Sequence, residues 1–279
     1  LVLFFGEDIH GAKRWFNLRF INIQPSEFAK LAIIFVMAHY LAEIGPEVRS
    51  LSTGVMVPLC YLGLICGLIM MEPDLGTTIV IFSIFFTMLF AAGVRLDHLL
   101  FLGLFALGIG IFLIIKEPYR LQRFLSFLDP MKDPKGSGWQ IIQSLMALGS
   151  GGILGLGLGR SRQKFFYLPE PHTDYIFSII GEELGLLGTF LVLFTFLFLA
   201  WRGFKIALAT SDAYGSLLAV GITSGVVFQA LINIGVVTST IPATGITLPL
   251  LSYGGSSLII TMMSLGILMN ISRGVEEKI

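Results

Sequence analysis

Seven stretches of the chain are almost unbroken hydrocarbon: residues 28–42, 52–71, 77–94, 98–115, 176–201, 214–237 and 257–271. Each comes close to the ~20 apolar residues that carry a helix across a bilayer, so the pattern predicts about seven spanning helices. The apolar positions run continuously instead of alternating in segments of ~10, which excludes a membrane barrel. Polar residues collect in four connections. Residues 6–27 hold Gly11-Ala-Lys-Arg-Trp15 and Gln24-Pro-Ser-Glu27, and residues 71–78 form a tight break containing Glu72-Pro-Asp74. Residues 116–175 make a connection of about sixty residues, far beyond the usual length and therefore expected to be functional. Residues 238–256 carry Pro242, Gly245, Pro249 and Ser252-Tyr-Gly-Gly-Ser-Ser257.

Strict alternation of spans puts these four connections on one side of the membrane. The other side receives the short loops 43–51, 95–98 and 202–213 and the tail, with Arg49, Arg95, Arg202, Lys205, Arg273 and Lys278. Short basic loops face the cytoplasm. The count is not one-sided, because Lys13, Arg14, Arg19 and eight basic residues between 116 and 164 lie on the opposite side. Long loops obey the rule poorly, so the short loops decide and the motif-bearing connections are expected outside.

Composition narrows the class. Only 13% of the 279 residues are charged and 55% are hydrophobic, against about 25% charged in soluble domains. Lys plus Arg equals Asp plus Glu at 18 each, which gives no pointer to nucleic acid. Cys60 and Cys66 share one apolar run and read as small core residues, without metal-ligand spacing. His10, His39, His98 and His172 are scattered, so metal ligation by histidine is not expected. No Ser/His/Asp constellation, HExxH or Walker motif is present. The chain opens at Leu1 inside Leu-Val-Leu-Phe-Phe, which reads as the severed end of another helix.

The chemistry-bearing residues each have a plain reading beside a functional one. Pro25 and Glu27 suit the first turn of a helix, and Glu27 and Lys30 share a face at i,i+3. Either Lys30 snorkels to the headgroups or the two form a buried pair of the kind that tends to be functional. Trp15 suits an interfacial aromatic belt, and Asp74 a helix N-cap. Around Arg120 and Arg123, alternating aromatics suit a surface-lying amphipathic segment. The same guanidiniums would grip a lipid-linked pyrophosphate through their bidentate forks. The glycines of 149–159 lack the strand–helix setting of a nucleotide loop and predict a flexible, membrane-dipping segment. Asp174 sits at the lip of the span that follows. Desolvation there favours a protonated carboxyl while cations such as Lys164 or Arg162 oppose it, and a general base works best near neutrality. Helix capping with Glu182 and Glu183 as satellites is the plain alternative. A cap alone would not require Glu170, His172 and Lys164 around it.

Taken together, GAKRW…QPSEFAK, EPDLGTT, EPYRLQRFLSFLDP…DPKGSGWQIIQS, GRSRQKFFYLPEPHTDYIF…GEELG and NIGVV…IPATGITLPLLSYGGSS resemble the SEDS proteins (shape, elongation, division and sporulation). The wording is closer to the FtsW/SpoVE branch than to RodA. The resemblance implies an all-α polytopic membrane protein. Residues 1–279 would be one SEDS domain with about seven of roughly ten helices, the first three lacking, and with 116–175 as its large extracellular loop. It further implies an inverting peptidoglycan glycosyltransferase of the bacterial cytoplasmic membrane, acting on lipid II at the outer face. Asp174 would be the general base, Glu27 and Lys30 would shape a polar cavity, and Trp15 would belong to an essential outer motif. Arg120, Arg123 and Lys164 are read as pyrophosphate contacts from their charge and place. A divalent cation (Mg2+ or Mn2+) is implied without identifiable ligands, and no organic cofactor. Expected partners are a class B penicillin-binding protein and other divisome proteins. A lipid II flippase is the competing reading, and a non-catalytic scaffold a third.

Overall fold

The computed structural model describes residues 2, 6–9, 12–17 and 22–276. Gly11, Arg19, Lys278 and most of the opening Leu-Val-Leu-Phe-Phe stretch, where a severed helix was expected, lie outside the described residues. All seven predicted spans are helices long and apolar enough to cross a membrane: Pro25–Arg49, Ser52–Met71, Leu75–Ala92, Leu96–Lys116, Ile176–Ala209, Ala213–Val237 and Gly255–Gly274. The chain divides into two compact units, one of Leu1–Phe101, Phe198–Phe228 and Gly254–Ile279, the other of Leu102–Leu197 and Gln229–Tyr253.

In the first unit, the described residues ahead of the first span are not a plain loop but form a small antiparallel sheet of β1 (Glu7–Ile9), β2 (Ala12–Asn17) and β3 (Asn22–Ile23), ordered β1-β2-β3. The strands are too short and too polar to leave an alternating signature. Helix α1 (Pro25–Ile44) begins as expected, with extended Gln24, Pro25 in the first turn and Glu27 at the positive end. It ends at Gly45, followed by Pro46. Helix α2 (Val57–Met71) leads into the break at 72–74. Helix α3 (Leu75–Ala92) is capped by Asp74, whose side chain accepts from Thr77 N at 3.0 Å, so the plain reading of Asp74 is borne out. The core of this unit lies between α1 and α3, where Met37, Ala38, Ile81, Phe85, Met88 and Leu89 are fully buried. With lipid as apolar as leucine, such close packing holds membrane helices together.

The second unit takes α4 (Leu96–Lys116) from Leu102 onward and α5 (Pro118–Leu128), followed by α6 (Trp139–Gly151) and the short α7 (Gln163–Phe166). It then takes α8 (Ile176–Ala209) up to Leu197 and α9 (Ala213–Val237) from Gln229 to its end. Helix α10 (Gly255–Glu276) returns the chain to the first unit. Helix α5 is amphipathic as expected, exposing Tyr119, Leu125 and Leu128 and burying Ser126.

The glycine-rich segment corrects an expectation: it is pinned, not flexible. Helix α8 breaks at Gly185, whose φ of 66° and ψ of −160° only glycine adopts without strain. Residues 152–157 dock onto the break: Leu156 N and Gly157 N donate to Glu182 O and Glu183 O at 2.9 and 3.0 Å, and Leu186 N and Leu187 N donate to Gly152 O and Ile153 O at 2.9 and 3.3 Å. Backbone freed inside a bilayer must find partners in protein, and this strap supplies them.

Candidate functional site

Three successive carbonyls suspend the loop that carries Asp174. Tyr253 N donates to His172 O at 2.8 Å, Ser252 Oγ to Thr173 O at 2.5 Å, and Asn233 Nδ2 to Asp174 O at 2.7 Å. The same Asn233 amide donates to Ile246 O at 2.7 Å, so one side chain ties the acid to residues 242–253. That segment must pass close beneath the carboxylate. Gly245 holds a φ of 72°, and a Cβ placed on it would sit 3.4 Å from Asp174 Oδ2. Asp174 itself is half-buried, at the foot of α8.

Arg123 anchors the other side of the segment. It donates from Nη1 to Ala243 O at 3.2 Å and lies 4.5 Å over the Tyr119 ring. Its remaining N–H groups have no hydrogen-bond partner among the described residues, which leaves a guanidinium edge free for an anion. The phenol of Tyr175 reports on this surrounding. Burial raises it above the usual tyrosine range, the charge of Asp174 adds to the rise, and Arg123 offsets part of it. Arg120 instead donates to Leu113 O at 3.3 Å, where it caps the end of α4.

Lys164 falls elsewhere than its position in the sequence implies. Its Nζ binds Glu183 Oε1 at 2.6 Å, so its charge is compensated there. Glu182 and Glu183 are likewise not satellites of a cap. Glu182, 1% exposed, accepts from Ser161 Oγ, Arg162 N and Gln163 N, and Glu183 accepts from Gly159 N and Ser161 N. The two carboxylates clamp residues 159–164 onto α8.

The first unit holds the other predicted residues. Lys30 Nζ meets Glu27 Oε1 at 2.8 Å with both side chains under 10% exposed, so Lys30 does not snorkel. Trp15 is half-buried in β2, opposite Glu7. Ser256 Oγ accepts from Gln24 N and donates to Asn22 O, joining the starts of α1 and α10. Arg14 donates to Glu72 O and Pro73 O at 2.8 and 2.7 Å and so closes the break after α2.

Beside it, the Glu72 carboxyl is buried, and its Oε2 has no partner among the described residues. Loss of hydration pushes this carboxyl up to about 7, the neighbouring charge of Asp74 adds to the rise, and Arg14 opposes it. The folded state therefore binds the proton more tightly than the unfolded chain. Stability falls as pH rises from about 4.5 to about 7 and is level above that. The detergent-solubilised protein is expected to melt about 3–6 °C lower at pH 8 than at pH 5, and Glu72→Gln to remove most of the difference. An unchanged pH profile in a thermal-shift measurement of the variant would reject this role.

Among the described residues no three His, Cys, Asp or Glu side chains converge into a metal cage, so no residue is assigned to a divalent cation. Asn233 goes unnamed in the sequence pattern, while Gly245, Ser252, Glu182 and Glu183 stand in it without the roles that the structure gives them. Asn233 did carry a signal, as a polar residue inside the run Ala230-Leu-Ile-Asn-Ile-Gly-Val236.

A family model built on FtsW, RodA and SpoVE, described as cell cycle protein, matches residues 1–277. The chain belongs to this family. Stage V sporulation protein E of Bacillus subtilis (strain 168) is 51% identical over 264 residues, which cover 95% of this chain and 72% of that protein. A probable peptidoglycan glycosyltransferase FtsW of Trichlorobacter lovleyi is 44% identical over 271 residues, 97% of this chain and 71% of its own. Among solved structures, a chain from a peptidoglycan synthase complex, described as coordinating polymerization and crosslinking, superposes with a TM-score of 0.80 at 35% identity. The match covers 99% of this chain and 77% of that one. The rod shape determining protein RodA of Thermus thermophilus superposes at 0.69 with 31% identity, over 98% of this chain and 73% of its own. Several such relatives carry the name peptidoglycan glycosyltransferase, and the chain is a multi-pass membrane protein of that enzyme family.

Proposed function

We propose that this protein polymerises lipid II into glycan strands at the outer face of the bacterial cytoplasmic membrane, with Asp174 as general base. The observation that carries the reading is the suspension of Asp174. Three backbone carbonyls are fixed, and the carboxylate faces Gly245, which has no side chain of its own. A base so held can take the proton of the 4-hydroxyl of an incoming GlcNAc as its oxygen attacks the anomeric carbon of a MurNAc. The bond from that carbon to the pyrophosphate breaks with inversion, and undecaprenyl pyrophosphate leaves with the electron pair. The unspent N–H groups of Arg123 suit the departing anion, and Arg120 stands one turn away on the same helix. Trp15, Glu27 and Lys30 are proposed as further substrate contacts. A class B penicillin-binding protein is the proposed partner, by analogy with the synthase complex.

The test is polymerisation of labelled lipid II by purified protein with its cognate transpeptidase. Glycan strands resolved on a gel are the expected product. Movement of lipid II between leaflets without any polymer would replace this reading with a flippase.

A further inference from the structure

Asn233 lies within the span Ala213–Val237 and is 1% exposed, and it spends both amide protons on two carbonyls, Asp174 O and Ile246 O, each at 2.7 Å. Its Oδ1 is buried without a partner among the described residues. A polar side chain at membrane depth is costly, and helix α9 carries this one with half its hydrogen-bonding capacity unmet.

We infer that Asn233 is a positioning residue for the reaction, setting the height of the Asp174 carboxylate above Gly245. The inference rests on the reading of Asp174 as base. The carbonyls of His172 and Thr173 fix the approach of the loop, whereas Asn233 grips the carbonyl of the acid's own residue. Its second bond grips Ile246, the residue after Gly245, whose missing side chain opens the face toward Asp174 Oδ2. Asn233 is thus the side chain that bonds the acid's own residue and the neighbour of Gly245 at once. A displacement near 1 Å at a reacting group costs about 10²-fold in rate.

A second amide staple between α9 and the same segment exists one turn earlier. Gln229, 4% exposed, donates to Thr247 O at 3.1 Å and to Thr247 Oγ1 at 3.3 Å. It provides the comparison. Asn233→Ala, Asn233→Leu and Gln229→Ala are measured for melting temperature and for kcat and KM of lipid II polymerisation. Both Asn233 variants are expected to lose about 10–100-fold in kcat with KM within about threefold of wild type. Gln229→Ala, with a comparable drop in melting temperature, should keep kcat within about threefold. Placed on Asp174→Asn, Asn233→Ala should remove nothing further. Should the truncations not fold, Asn233→Gln, with its amide one methylene further out, is expected to lose kcat with KM retained.

Equal kcat losses for the two amides at matched loss of stability would overturn the inference. So would an additive loss on Asp174→Asn. Near-wild-type rates for Asp174→Asn alone sink the base assignment instead, which keeps the two failures apart.

Discussion

Asp174→Asn is expected to lower the rate of glycan polymerisation by about 10³-fold, within the 10²–10⁴ range that a positioned general base contributes. The substitution is nearly isosteric and leaves the backbone carbonyl that Asn233 holds. Folding is therefore expected to survive, with a melting temperature within about 2 °C of wild type. Removing a group that acts on the transition state lowers kcat and kcat/KM together and leaves substrate affinity in place. Lipid II should still bind the variant. The measurement is single-turnover polymerisation beside a binding assay on the same preparation. A variant that makes strands at the normal rate would show that the proton goes elsewhere.

The second large effect is thermodynamic. Glu27 and Lys30 pair at 2.8 Å with both side chains almost fully buried. Removing one partner leaves an uncompensated buried charge, at a cost of about 3–5 kcal/mol. Lys30→Met is accordingly expected to abolish or severely reduce the yield of folded protein. Glu27→Gln combined with Lys30→Met removes both charges and should recover most of that loss, since a buried pair is often worth little beyond its own desolvation. Thermal denaturation of the single and double variants reads the coupling. A double variant as unstable as Lys30→Met would mean that the pair is not what Lys30 supports. Recovered stability without recovered polymerisation would assign the pair to substrate.

How much of this was legible depends on the distance over which each feature is encoded. The spans are composition summed over about twenty neighbours, and every one is a helix. Asp74 capping α3 and Pro25 opening α1 are signals within a single turn, and both hold. The family likewise shows in motifs that survive as contiguous words. What failed to show needs partners far along the chain. Lys164 looks like a free cation beside Asp174 until Glu183, 19 residues on, takes it. Asn233 meets Asp174 across 59 residues. Gly185 is one glycine among many in an apolar run, and nothing local says that its helix stops there. The sheet at β1–β3 leaves no signal in the sequence because strands of two to six residues carry no period to detect.

The broken α8 bears on how the protein is made. Glu182, Glu183, Leu186 and Leu187 depend on the strap for backbone partners, and each unmet group in hydrocarbon costs several kcal/mol. Residues 152–157 precede them in the chain, so the ribosome finishes the strap before Gly185 is synthesised. The partners that the break at Gly185 requires are therefore already synthesised when the rest of α8 emerges.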